Sequence, residues 1–288
     1  PDVSPITLED IRAMSQQIVD ADAATYGWVL DSGTDSGGGW FLEQWFARAG
    51  ELYADNDNGR SAPATEVLFD SPAGVELMTF VQAMITDGLA VSVGDNASGQ
   101  DTYPKLIDPA ADGAMTIGTS AALGGVLSAI DSGLAPGLTS VDVGVGPMPG
   151  PSPDPTVNLG GASLWIVDGK GDEKTAAAWD YITYLITAEA QSQWASQTGY
   201  VPIRNDAVDI EPLLSTYAED PRFRVAYDQL LGTPEGVASL APVLGPQREV
   251  RVATAVATGD ENVARHVEGK TLVKRLVVRG RLVVLVTK

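Results

Sequence analysis

Gly160-Gly161-Ala162-Ser163-Leu164-Trp165-Ile166 and, further along, Thr198-Gly199-Tyr200-Val201-Pro202-Ile203 are the two stretches that decide the fold of this chain. The first is an apolar run opened by two glycines, which predicts a buried strand. Residues Lys174 to Trp194 lie between them and carry apolar side chains at helical spacing: Ala178, Trp179, Ile182, Leu185, Ile186 and Trp194. A strand, a long helix and a Gly-Tyr loop predict a frame that offers backbone and one aromatic ring to a small ligand.

The composition excludes several kinds of partner. The chain has 288 residues, enough for two lobes, and a net charge of -20. Residues 261–288 contain seven Lys or Arg and two acidic residues, so the rest of the chain is more acidic still. Such a surface repels nucleic-acid phosphates and anionic membranes, which makes both poor partners. No apolar run approaches the roughly 20 residues of a membrane-spanning helix.

Signals of catalysis and of cofactor binding are missing from the sequence. There is no cysteine, and the single histidine, His266, lies in the basic tail. Disulfides, thiolate nucleophiles and Cys-based metal sites are therefore excluded, and the main body lacks the histidine that many triads and metal sites need. The chain also lacks a dinucleotide fingerprint and a phosphate loop with its lysine. We expect no catalytic residues, no metal and no cofactor.

Local signals mark where helices begin. Thr7 with Asp10 predicts a capping box before a helix that runs to about Ala21. Ser71-Pro72 predicts a second helix start, because serine caps and proline is tolerated at the first helical position. The spacing of its apolar residues predicts the buried face of this second helix as Val75, Met78, Val81 and Ile85.

Strands are predicted at Tyr26–Leu30, Asp112–Ile117 and Val141–Val145. The segment from Gly146 to Pro155 has five prolines in ten residues, which predicts a stiff connection that acts as a hinge between two lobes.

The last part of the chain changes character. Helices are expected after Ile203 and again from Pro246 to about Thr258. The tail then alternates β-branched and basic residues on both sides of Gly280, which predicts two short strands.

Five segments recur in the same order and spacing in one known family: Asp112 to Thr116, Val143 to Pro149, Gly160 to Trp165, Trp194 to Ile203, and Gly245-Pro246-Gln247. On these segments the chain resembles the extracellular solute-binding proteins of ABC importers, in particular the glycerol-3-phosphate and sugar-binding branch. The likeness extends over about residues 5 to 255.

The resemblance implies an α/β fold of the periplasmic-binding-protein type (type II), with two lobes that close on a ligand. It places residues 5–155 in the first part of the second lobe, 156–203 in a return segment of the first lobe, and 204–257 in the remainder of the second lobe. The opening half of the first lobe would precede Pro1, so the first lobe is expected to be incomplete and the chain truncated at its amino end.

Residues 258–288 form an atypical basic tail outside this pattern. Its segments Val267 to Thr271 and Arg281 to Val283 are similar to the end of leucyl-tRNA synthetases. This short likeness suggests a fused reading frame rather than a functional module.

The implied function is the substrate-binding component of an ABC transporter, which captures glycerol 3-phosphate, a glycerophosphodiester or a saccharide and docks on permease subunits. The implied location is periplasmic or extracellular, at the cell surface. An alternative is an acidic glycoside hydrolase that uses paired carboxylates. With thirty-eight acidic residues a chance pair is almost certain, so the pair carries little weight. A fragment of a tRNA-charging enzyme, suggested by the tail alone, conflicts with the acidic main body.

The resemblance also implies a set of ligand-binding residues, each of a type suited to a polar solute: Thr119, Ser120, Gly160, Gly161, Tyr200 and Arg251. Trp40 is a further candidate, because its ring could stack on a sugar. Hydroxyls at a helix start can meet ligand oxygens, and glycine lets backbone approach closely. A tyrosine offers a flat face plus one hydroxyl, and an arginine offers a planar fork to phosphate.

Each of these residues also has an ordinary structural interpretation. Thr119 and Ser120 could simply cap a helix, and Trp40 could be a core residue that opens one. Tyr200 could pack in the core, although the residues that flank it favour ligand contact. Arg248 is a second candidate for the arginine.

Overall fold

The computed structural model describes residues 4–30, 40–93, 102–107, 113–135, 137–154, 156–161 and 164–234, and the backbone of 272–277 and 283–287. The expected helix from Pro246 to Thr258 lies outside these residues. Within them the helices are α1 (Leu8–Asp20), α2 (Trp40–Arg48), α3 (Asp55–Gly59), α4 (Pro72–Thr86), α5 (Thr102–Ile107), α6 (Leu123–Ala129), α7 (Asp172–Leu185), α8 (Ala188–Thr198), α9 (Leu213–Glu219) and α10 (Val225–Leu231). The strands are β1 (Tyr26–Leu30), β2 (Ala90–Ser92), β3 (Gly113–Thr116), β4 (Leu272–Val277) and β5 (Val283–Thr287).

A small parallel sheet organises the main body. β1 is central, with β2 on one side and β3 on the other, and Trp28 pairs with Ala90 and with Met115. The predicted strands Tyr26–Leu30 and Asp112–Ile117 are confirmed, the latter over a shorter range. Because all three strands run the same way, their carboxyl ends lie at one edge, which is where α/β sheets bind ligands. The tail strands β4 and β5 pair antiparallel, as expected on either side of Gly280.

The main core is aromatic and joins β1 to α2. Trp28 and Trp45 are almost completely buried, with Phe46 beside them. The rings of Phe41 and Trp45 lie 4.9 Å apart, edge to face. Large rings of this kind contribute much of the apolar area that folding removes from water.

The local helix signals are confirmed. The Asp10 N–H donates to Thr7 Oγ1 at 3.1 Å, and the Thr7 N–H donates to a carboxylate oxygen of Asp10 at 2.9 Å, which completes the capping box. At the start of α4 the Gly74 N–H donates to Ser71 Oγ at 3.2 Å, with proline at the first helical position.

The buried face of α4 was predicted incorrectly. Val81 is buried, but Val75, Met78 and Ile85 are exposed, and the helix packs on a face made of Gly74, Leu77, Val81 and Met84. A Cβ at Gly74 would lie 2.7 Å from the ring of Phe46 and 1.9 Å from the carbonyl oxygen of Phe69. The helix therefore approaches α2 through its glycine, and this contact selects which apolar stripe faces inward.

The proline-rich segment is held firmly by its neighbours. Trp45 donates to the Pro149 carbonyl at 2.9 Å, and the buried guanidinium of Arg48 donates to the carbonyls of Met148, at 2.6 Å, and Ser152. Gln229 from α10 bonds both the N–H and the carbonyl of Met148. Residues 148–152 are thus bonded to both α2 and α10, and the hinge role expected for this segment stays a prediction.

The strand predicted at Val141–Val145 does not form. A 3₁₀ turn occupies Ser140–Asp142, and the Thr139 N–H donates to the Asp142 carboxylate at 2.8 Å. This capping box bends the chain where a strand would have to be extended.

The return segment differs most from its prediction. Residues 160, 161 and 164–166 are in no strand, and Leu164 and Trp165 are 62% and 81% exposed. The predicted helix from Lys174 to Trp194 is broken between α7 and α8, where Thr187 Oγ1 accepts from the Ala190 N–H. An extended apolar stretch becomes a strand only beside a partner strand, and none of the described residues pairs with it.

Candidate functional site

The turn after β3 carries the first two predicted ligand residues. Thr119 caps a 3₁₀ turn at Ser120–Ala122, and its Oγ1 accepts the Ala121 N–H at 3.3 Å. The capping interpretation of Thr119 is therefore confirmed. A threonine hydroxyl that accepts one N–H still has its own hydrogen to donate, and Thr119 is exposed. The turn lies at the carboxyl end of β3, where a ligand can reach it.

The loop that bears Tyr200 packs directly on this turn. Gly199 ends α8 with a φ of 87°, and a Cβ there would lie 2.4 Å from the Ser120 carbonyl oxygen. One turn later, a Cβ at Gly124 would lie 2.1 Å from the carbonyl oxygen of Gln197. Two glycines thus let the α6 and α8 backbones touch, which brings Thr119, Ser120 and Tyr200 together.

Tyr200 is a surface residue at this junction. Its side chain is 49% exposed, which rules out the core interpretation for the chain as described. Its N–H donates to Thr198 Oγ1 at 3.2 Å, and that hydroxyl donates to the Trp194 carbonyl at 2.7 Å. The Tyr200 and Trp194 rings are 6.2 Å apart at 55°. Tyr200 on the loop and Trp194 on α8 therefore form a pair of exposed aromatic rings.

The double glycine lies near a different element. Asn158 and Gln44 exchange two hydrogen bonds, of 2.6 and 3.0 Å, which fix the segment before Gly160 to α2. Gly160 and Gly161 are exposed, and a Cβ at Gly161 would meet nothing within 4 Å. Packing among the described residues does not require glycine at 161, so its backbone is open to a ligand.

The predicted site residues therefore fall into two groups. Gly199 lies against Ser120, which places Tyr200 one residue from the contact with the Thr119–Ser120 turn, whereas Gly160 and Gly161 follow a segment bonded to α2. Trp40 is the first residue of α2, but its side chain is not among those described. Arg251 and its alternative Arg248 also lie outside the described residues.

One residue that lies against the Thr119–Ser120 turn was not predicted from the sequence. Tyr103 on α5 lies behind the turn, with its hydroxyl 2.1 Å from where a Cβ of Gly118 would stand. Burial raises the pKa of Tyr103, and a hydrogen bond from the backbone of Thr119 acts in the opposite direction. In the sequence, the glycine at position 118 is the one sign that another group approaches the backbone before Thr119. Nothing in the sequence shows that this group is the Tyr103 hydroxyl.

Four ion pairs join arginine and aspartate side chains in the described part of the chain. Arg204 donates to Asp206 at 2.6 Å, Arg222 donates to Asp220 at 2.6 Å, and each of these contacts lowers the pKa of the aspartate. Among the described residues, no group of three His, Asp or Glu side chains is arranged to hold a metal ion. None of the helices described has the length and apolar composition of a membrane span.

Comparison with known proteins identifies the family to which this chain belongs. Residues 2–225 match the sequence model of the bacterial extracellular solute-binding protein family. The sn-glycerol-3-phosphate-binding periplasmic protein UgpB of Escherichia coli K12 is 26% identical over 219 residues, which is 74% of this chain and 47% of that protein. The chain therefore spans about half the length of the curated relatives it matches.

Solved structures show the same fold. UgpB from Mycobacterium tuberculosis, in complex with glycerophosphocholine, has a TM-score of 0.65 at 21% identity, covering 93% of this chain and 64% of that one. The cyclic α-maltosyl-1,6-maltose binding protein from Arthrobacter globiformis has a TM-score of 0.60 at 20% identity, covering 93% and 61%. The fold is the predicted α/β fold of type II periplasmic-binding proteins. With its family match over residues 2–225, the chain belongs to the bacterial extracellular solute-binding proteins.

Proposed function

We propose that this chain is part of the substrate-binding component of an ABC importer that captures glycerol 3-phosphate, a glycerophosphodiester or a saccharide. The observation that carries the proposal is the contact of Gly199 with Ser120, which gathers two hydroxyls and an exposed tyrosine at the carboxyl end of β3. These groups suit a polar solute, and the family match supports binding rather than chemistry. The carboxylate-enzyme alternative has no such support.

In this proposal each site residue has a separate role. Thr119 and Ser120 hydrogen-bond ligand hydroxyl or phosphate oxygens, and Tyr200 covers the ligand with its ring. Gly160 and Gly161 contribute backbone, and Trp40 stacks on the ligand from the start of α2. Arg251, or Arg248 in its place, binds phosphate if the solute carries one.

The lobe organisation is part of the same proposal. None of the α7 residues is buried, and Trp165, Trp179 and Tyr181 are each more than half exposed. We assign residues 156–203 to the first lobe as its return segment, and infer that the rest of that lobe covers these side chains and closes the cleft. The ligand-loaded protein then docks on permease subunits from outside the membrane. The related UgpB of Escherichia coli is a periplasmic protein, which supports this location.

Calorimetry tests the proposal. The chain as it stands, and the chain extended at its amino end by the corresponding half of a related binding protein, are titrated with glycerol 3-phosphate, glycerophosphocholine and maltose. We expect the extended protein to give saturable heat with at least one of them.

The variant Tyr200→Ala should weaken that binding about tenfold or more, because it removes the ring that covers the ligand. Phe69→Ala, which removes a ring of similar exposure (44%) outside both the site and the surface proposed to be covered by the first lobe, is the matched control and should leave the affinity unchanged. Absence of heat with all three ligands in both proteins would refute the proposed function.

A further inference from the structure

The turn that carries Thr119 and Ser120 is supported by a helix that has no role in the proposed function. The helix α5 (Thr102–Ile107) lies beside β3, and its half-buried Tyr103 extends to the turn that follows this strand. A Cβ at Gly118 would lie 2.1 Å from the Tyr103 hydroxyl and 3.0 Å from ring carbon Cζ. The hydroxyl thus occupies the space that any side chain at position 118 would need.

The backbone of Thr119 also acts on the Tyr103 hydroxyl, because it lowers the pKa of Tyr103 against the effect of burial. The Thr119 hydroxyl itself caps the next turn. On the other side of the turn, Gly199 touches the carbonyl oxygen of Ser120. The turn is therefore held from two sides, by a side chain of α5 and by the backbone after α8.

We infer that Tyr103 is a positioning residue: its hydroxyl fixes the Gly118–Ser120 backbone so that the Thr119 and Ser120 hydroxyls face the ligand. Tyr103 acts through the turn and does not itself touch the ligand. The inference rests on the proposed function for its effect on affinity, but the hold on the turn is independent of any ligand. It also explains Gly118, which has an ordinary φ and is glycine because the hydroxyl leaves no room for a Cβ.

The first test removes the hydroxyl alone. Tyr103→Phe should speed hydrogen–deuterium exchange of the Thr119 amide, because the oxygen that occupies the space beside Gly118 and Thr119 is removed. Ligand affinity of the extended protein should fall about 2- to 12-fold, the range that corresponds to the loss of one net hydrogen bond. The matched control is Tyr53→Phe, another half-buried tyrosine whose pKa is raised by burial but which packs on Phe46 and Phe69. It should alter neither readout.

The second test is a double-mutant cycle with Gly118→Ala. The new Cβ displaces the Tyr103 hydroxyl, so this variant should weaken binding as much as Tyr103→Phe does. With phenylalanine at 103 the obstructing oxygen is absent, and Gly118→Ala should then cost little more. Additive losses in the cycle would show that the two residues act separately and would overturn the inference.

The outcomes separate this inference from the proposed function. If the wild-type extended protein binds none of the ligands, the proposed function fails, while the exchange rate of the Thr119 amide still tests the hold of Tyr103. Unchanged exchange in Tyr103→Phe would overturn the inference. Faster exchange with unchanged affinity would also overturn it, because the turn would then be held without consequence for the ligand.

Discussion

Tyr217 shows how a single buried hydroxyl affects stability. Its side chain is 7% exposed, and its oxygen has no hydrogen-bond partner among the described residues. The ring of Tyr227 lies 5.9 Å away. Burial, with the neighbouring Tyr227, raises the pKa of Tyr217 to about 12. The folded protein therefore keeps this proton at a pH where the unfolded chain, with a tyrosine pKa of about 10, has lost it.

The pH dependence follows from this difference. Below pH 10 both states hold the proton, so Tyr217 adds no slope to the free energy of unfolding. Between about pH 10 and 12 that free energy should fall by up to about 1.4 kcal/mol per pH unit. Tyr217→Phe should remove this part of the slope and leave stability at pH 7 equal or slightly higher, because no unpaired oxygen is buried.

Urea unfolding at pH 7, 10 and 11 measures both effects. The exposed Tyr181 provides the control, since Tyr181→Phe should retain the wild-type slope. An equally steep alkaline loss in Tyr217→Phe would contradict the assignment.

At the scale of elements, the contact between the end of α8 and the turn at Ser120 depends on Gly199. Its φ of 87° is unfavourable for other residues, and a Cβ there would also lie against the Ser120 carbonyl. Gly199→Ala should therefore lower the free energy of unfolding by about 2–4 kcal/mol, of which backbone strain supplies about 1–3 kcal/mol.

A second glycine separates strain from packing. Gly169 has a φ of 73°, but a Cβ there would meet nothing within 4 Å. Gly169→Ala should show the strain alone and leave ligand affinity unchanged, whereas Gly199→Ala should also weaken binding. Equal effects of the two variants on stability and affinity would mean that the contact with Ser120 is unimportant.

The sequence predicted those elements whose signals are local. The capping box of Thr7 and the Ser71-Pro72 start act within one helical turn, so they were found without any tertiary information. The buried face of α4 was missed because Gly74, which carries no apolar side chain, decides it through contact with Phe46 and Phe69. The strand at residues 160–166 was predicted from apolar content, but a strand requires a partner that the described residues do not supply.

The candidate site was predictable to a similar extent. Thr119, Ser120 and Tyr200 followed from the resemblance, and their contact through Gly199 agrees with it. The role of Tyr103 could not be predicted, because α5 and the turn are brought together only by β3. Sequence spacing does not show which side chain fills the space above a glycine.

At the scale of the whole molecule, the apolar surface of the return segment is its most unusual property. Leu164, Trp165, Val167, Trp179, Tyr181 and Tyr184 are all at least 56% exposed. Contiguous patches of this kind bind partners or promote association. The chain as it stands should therefore bind an environment-sensitive hydrophobic dye at neutral pH despite its net charge of -20.

The double variant Trp165→Ser and Trp179→Ser should reduce dye fluorescence severalfold, and so should extension of the chain by the related half described above. Phe69→Ser, which removes an exposed ring elsewhere, should have little effect. Dye binding that is the same in all of these proteins would place the responsible surface outside the return segment.

The hydrogen bonds between α2 and the proline-rich segment have a consequence for backbone motion. Trp45, Arg48 and Gln44 secure the chain to α2 at Pro149, Ser152 and Asn158 in succession. Hydrogen bonds therefore restrain the backbone at these three positions. If the lobes move, we expect rotation to begin at Leu159-Gly160-Gly161, so that the residues proposed to line the cleft would also act as its pivot.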